Sequence, residues 1–155
     1  MVLTFAIILA ASLLAIAYVD FRRLVIPDWL NATVFLSGAA FRLCSGYNAL
    51  VSGLLFALAV IVFFWTVRYL HYRLRGVVGL GLGDVKFAGA AAVWLDPWSF
   101  PIFLLIAAAT ALLYFFVKAN RSGNLMSLRV PFGPFLALSL FAVWNFNLFF
   151  EQTVR

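Results

Sequence analysis

At 155 residues the chain has room for one domain, and 66% of it is hydrophobic and 18% aromatic, with 10% charged and a mean hydropathy of +1.10. A soluble domain usually carries about a quarter charged residues, so a water-soluble globule is excluded and an all-α, polytopic membrane protein is expected. The net charge of +6 does not point to nucleic acid, because the basic residues cluster between apolar runs at Arg22-Arg23, Arg68-Arg73-Arg75 and Lys118-Arg121-Arg129. That pattern fits membrane-face loops, with anionic lipid headgroups as partner.

Cut at charges and turn residues, the apolar runs give six predicted transmembrane helices at 2–19, 29–46, 49–67, 79–95, 98–117 and 131–150. Each is near the ~20 residues that cross a bilayer core, and backbone in lipid must bond within its own segment, so helices are the expected form. The first run lacks the basic region of a secretory signal and reads as a retained span. The second contains Arg42, expected to snorkel to an interface. The fourth is the least typical, holding both Asp84 and Lys86. One transmembrane domain over 1–155, with no separate soluble domain, is the expected organisation.

Loops after the odd-numbered spans hold Arg22, Arg23, Arg68, Arg73, Arg75, Lys118, Arg121 and Arg129, whereas the other side holds Arg42 and Arg155. The positive-inside rule then puts both termini on the extracytoplasmic side. Span one would end at Asp20 on the cytoplasmic face. Asp84 would lie about a turn and a half, roughly 8 Å of rise, past the inner start of span four. Topology alone thus brings to one membrane face two carboxylates more than sixty residues apart in sequence.

The acidic residues are Asp20, Asp28, Asp84, Asp96 and Glu151. Asp96 and Glu151 fall at outer span ends and read as ordinary solvated flanks. Asp84 is the most informative, since an ionisable group within a span is costly and marks function or a buried ion pair. It ends the run Gly79-Leu80-Gly81-Leu82-Gly83-Asp84, whose glycines make poor continuous helix and allow close backbone approach or small-residue packing. Asp20 opens the stretch to Pro27-Asp28-Trp29-Leu30-Asn31, where Pro27 suits a helix start and Asp28 a capping position in its first turn.

Two carboxylates in a partly desolvated site share a proton, one serving as general base toward water and the other as general acid toward a carbonyl. That chemistry is proteolytic and calls for no metal or other cofactor. Cys44, the single cysteine, reads as a small buried helix residue, and His71 as a solvated residue of the basic 68–75 loop.

These residues resemble the type IV prepilin peptidases. Gly81-Leu82-Gly83-Asp84 is similar to that family's GxGD motif, and Asp20 to Leu30 is similar to its first catalytic aspartate and the proline stretch that follows. Val130-Pro131-Phe132-Gly133-Pro134 resembles the opening of its last helix. The resemblance implies an intramembrane aspartyl endopeptidase in the bacterial inner membrane, its site facing the cytoplasm. Such enzymes clip the basic leader from prepilins or pseudopilins, whose own apolar helix would lie in the bilayer beside the enzyme, here in the short form resembling those that serve tight-adherence (Flp-type) pili. Asp20 and Asp84 would be catalytic, with Gly81, Gly83, Lys86, Asp28, Pro131, Gly133 and Pro134 supporting the site or binding substrate. Asp28 stands where the family usually shows Asn. The rival classes are a small proton-coupled transporter and a non-catalytic membrane scaffold, which would use the same carboxylates differently.

Overall fold

A computed structural model describes residues 1–77, 79–122 and 130–153, the side chains at 121–122 and 151–153 excepted. The expected features at Arg121, Arg129, Glu151 and Arg155 therefore lie outside what is described. The described residues form six helices and no strand: α1 (Val2–Arg23), α2 (Asp28–Ser45), α3 (Tyr47–Arg75), α4 (Leu82–Trp94), α5 (Phe100–Ser122) and α6 (Gly133–Thr153). The helices α1, α3, α5 and α6 are long and apolar enough to cross a membrane.

α4 is the inner post of the bundle. It packs on α2 and α3, while α1 packs on α2 and α6, and α5 on α6. Val85 and the whole run Phe87 to Trp94 are buried, which its composition explains: a helix apolar on every side belongs inside. Its small residues let neighbours close in. A Cβ on Gly89 would lie 2.3 Å from Ile61 Cγ1, and one on Gly38 of α2 would lie 2.6 Å from Trp94 Nε1. With 13 residues, α4 rises about 20 Å, well short of a ~30 Å apolar core.

Several boundaries differ from expectation. The sequence predicts that the third span ends at 67, before its first charge, yet α3 continues through Arg68, His71 and Arg73 to Arg75. Charge does not end a helix; the left-handed Gly76 does, its N–H bonding Tyr72 O at 2.9 Å. The 29 residues of α3 rise about 43 Å, so its basic end stands beyond the apolar layer as helix rather than loop.

Conversely, residues 79–81 are not helical and α4 starts at Leu82, placing Asp84 in its first turn. Arg42 does not simply snorkel. Its guanidinium donates to Val93 O at 2.7 Å, Leu95 O at 2.9 Å and Asp96 Oδ1 at 3.0 Å, clamping α2 to the end of α4. Asp96 is accordingly an ion-pair partner rather than a free flanking charge. Cys44, in the last turn of α2, is exposed rather than buried.

Candidate active site

The site is built where two helices begin and one ends. α1 stops just after Asp20: Leu24 takes a left-handed conformation (φ 55°, ψ 34°), its N–H bonding Asp20 O at 2.8 Å. Such a backbone costs a non-glycine residue about 1–2 kcal/mol. It throws the chain outward through Val25 and Ile26 to Pro27, the N-cap of α2.

Asp20 is 5% exposed, and its Oδ2 accepts a 2.8 Å hydrogen bond from Gly133 N. Gly133 is the first residue of α6, so the carboxylate from the end of α1 caps another helix and faces the positive end of its dipole. No side chain fits at 133: a Cβ there would lie 2.8 Å from Asp20 Oδ2 and 2.9 Å from its Cβ and Cγ.

Asp84 is arranged in the same way on its own helix. Gly81 is the N-cap of α4, and Asp84, three residues on, curls back toward it. A Cβ on Gly81 would lie 2.7 Å from Asp84 Oδ2. Gly83 is needed for another reason, since a Cβ there would meet Ile26 Cβ at 3.2 Å, at the close contact between the α1–α2 connection and the start of α4.

Both aspartates line one open cavity of about 410 Å³, bounded by Leu24, Val25 and Ile26 on one side and Val130, Pro131 and Phe132 on the other. Gly81, Gly83, Asp28 and Lys86 also reach it, so every predicted supporting residue except Gly133 and Pro134 lines the cavity. Gly133 borders it through Asp20, and Pro134 faces a groove between α1 and α6. Lys86 Nζ lies 2.7 Å from both oxygens of Asp28. Asp28 stands in the first turn of α2 as expected, and its carboxylate bonds Lys86 rather than its own helix start. The pair is worth little in stability, at most about 1 kcal/mol, because both side chains are largely solvated at 49% and 73% exposure. Its effect is to occupy the acid at the rim.

Three residues outside the predicted supporting set also hold the site. Asn31, 5% exposed, donates from Nδ2 to Gly83 O at 3.3 Å, tying α2 to the residue before Asp84. The Arg68 guanidinium donates to the Leu80 carbonyl. His71 packs on Gly79, where a Cβ would come within 2.8 Å of its Nε2. The overlong α3 thus clamps the glycine run. Only the polar side chain of Asn31 inside an apolar run could have been noticed beforehand, because the partners in all three contacts are backbone. Among the described residues, no three of His, Cys, Asp or Glu gather as a metal site.

A family model described as "Type IV leader peptidase family" matches residues 7–116. The chain is 33% identical over 129 residues to a "Prepilin leader peptidase/N-methyltransferase" of Burkholderia pseudomallei, covering 83% of this chain and 42% of that protein. Proteins of the same description from Dichelobacter nodosus (30% over 137 residues, 88% and 46%) and Aeromonas salmonicida (28% over 134 residues, 86% and 46%) are similarly related. The chain therefore spans just under half the length of these curated relatives. No solved structure matches it.

Proposed function

We propose that this chain, which belongs to the type IV leader peptidase family, is an intramembrane aspartyl endopeptidase that removes the basic leader of prepilins or pseudopilins, Flp-like pilins included. One observation carries the assignment of its catalytic pair. Asp20 and Asp84, from helices far apart in sequence, open into one cavity with each carboxylate at a helix N-terminus. The relatives, described as prepilin leader peptidases, supply the substrate class.

The chemistry follows from the pair. With one carboxylate ionised and the other protonated, the ionised one takes a proton from water as the oxygen attacks the scissile carbonyl. The protonated one gives its proton to the carbonyl oxygen. Collapse of the tetrahedral intermediate returns that proton to the carboxylate while the leaving nitrogen takes the proton first drawn from water. Each product departs with the site restored. The cavity walls at 24–26 and 130–132 are non-helical backbone, able to hold an extended peptide by main-chain bonds.

We further place this cavity at the cytoplasmic face of a bacterial inner membrane, with both termini outside, on the strength of the arginine and lysine bias. Anionic headgroups around Arg22, Arg23, Arg73 and Arg75 would anchor that face. The test is to incubate the purified protein with a pilin precursor and follow leader release by mass. Asp20→Asn and Asp84→Asn, nearly isosteric, are expected to cut at least about 1,000-fold more slowly while keeping the wild-type helical spectrum. Cleavage at the wild-type rate by either variant would sink the assignment.

A further inference from the structure

A second cavity, of about 500 Å³, lies between α1 and α6 and is lined only by alanine, leucine, proline and phenylalanine side chains. Its floor is small or buried: Ala10, Leu13 and Ala17 on α1, with Pro134 and Ala137 on α6. Leu14 and Leu138 form exposed rims. Such a surface offers no hydrogen bond and no charge, so its occupant is apolar. Ala10 and Ala17, seven residues apart, share a helix face, and small residues there allow a helix backbone to come close.

Its position decides which apolar occupant it takes. On α1 the lining residues lie three to ten positions before Asp20, and on α6 they lie one to eight after Gly133. At 1.5 Å per residue, the groove therefore starts roughly one turn from the Asp20–Gly133 bond and runs about 12–15 Å away from it. Its head lies beside the Asp20–Gly133 bond, next to the cavity that Asp20 and Asp84 line, and its body is uncharged. That is the polarity of a chain that is basic first and then an apolar helix.

The groove between α2, α3 and α4 is less suitable, because it is headed by the Lys86–Asp28 ion pair that an entering chain would have to separate. Elsewhere on the outer surface, side chains such as Leu55 and Leu105 are exposed and line none of these cavities.

We infer that the groove between α1 and α6 seats the apolar membrane helix of the substrate, C-terminal to the cut, and so sets which bond reaches the aspartates. This rests on the peptidase reading above. The occupant is a helix in lipid, gripped by shape over about two turns.

Cleavage should be compared for a membrane-borne pilin precursor and for a soluble peptide spanning the leader and cut site but lacking the apolar helix. In Ala10→Trp, which fills the groove, the ratio of kcat/KM for precursor to that for peptide is expected to fall at least tenfold, through a raised KM for the precursor. Leu55→Trp, on α3, is expected to leave the ratio unchanged. As a second measurement independent of folding losses, Asp84→Asn with Cys44→Ser is given a single cysteine at Leu14 or at Leu55. A cysteine in the precursor helix is expected to cross-link at 14 and not at 55. An unchanged ratio in Ala10→Trp, or equal cross-linking at both positions, would overturn the groove while leaving the peptidase standing. Failure of wild type to cut either substrate would bring down both.

Discussion

At the scale of single residues, the site is held as much by missing side chains as by present ones. Gly133 provides both an N–H for Asp20 and the absence of a Cβ, which would fall 2.8 Å from the carboxylate oxygen it serves. Gly133→Ala must therefore push Asp20 or the start of α6 aside, an overpacking cost of about 1–3 kcal/mol. Activity is expected to drop roughly ten- to a hundredfold, the equivalent of that energy in an equilibrium or rate, with the helix content unchanged by circular dichroism. Wild-type turnover by Gly133→Ala would show that the Asp20–Gly133 contact does not matter for catalysis.

The two aspartates were legible in the sequence because charge in an apolar chain is expensive and therefore conspicuous. The role of Gly133 was not, since its partner is 113 positions away. The partners of Asn31 and Arg68 were illegible for a related reason: they are carbonyls of Gly83 and Leu80, and every residue in the chain offers a carbonyl.

Among the elements, α4 sets the geometry, and packing density rather than length holds it. It is too short to cross a bilayer core by itself, yet nearly all of it is buried and its C-terminal end is gripped by Arg42. The close approach of α3 depends on Gly89, where a Cβ would fall 2.3 Å from Ile61 Cγ1. Gly89→Ala is expected to destabilise by about 1–3 kcal/mol, seen as a lower melting temperature in detergent. Ile61→Ala should recover part of that loss when combined with it, although alone it leaves a cavity and is itself destabilising. Purely additive losses in the double variant would mean that α3 and α4 do not meet through this pair.

The number of helices was readable from the apolar runs, and their order is as expected. The ends of α3 and α4 were not readable, because hydropathy marks where the lipid stops and backbone geometry marks where the helix stops. Arginines 68, 73 and 75 are compatible with helix; Gly76 is where it turns.

For the whole molecule, the open question is which end faces which compartment, and the chain supplies its own reporter. Cys44 is the single cysteine and is exposed. It lies near the end of α2 that Arg42 fastens beside Val93 and Leu95, at the C-terminal end of α4, and Asp84 sits at the opposite end of that helix. Cys44 and the aspartates therefore mark opposite ends of the bundle. Leu74, exposed in the last turn of α3, marks the end that carries the arginines.

If that basic end is cytoplasmic, as the positive-inside rule requires, a membrane-impermeant maleimide added to spheroplasts should label Cys44 in the wild type. It should not label Leu74→Cys in a Cys44→Ser background until the membrane is opened. The reverse pattern would put Asp20 and Asp84 outside the cell, on the side away from an uncleaved basic leader. A leader peptidase could not work from there: moving each arginine or lysine of the leader outward against a 100 mV potential would cost about 2.3 kcal/mol in addition to its desolvation. The labelling pattern thus constrains the chemistry as well as the topology.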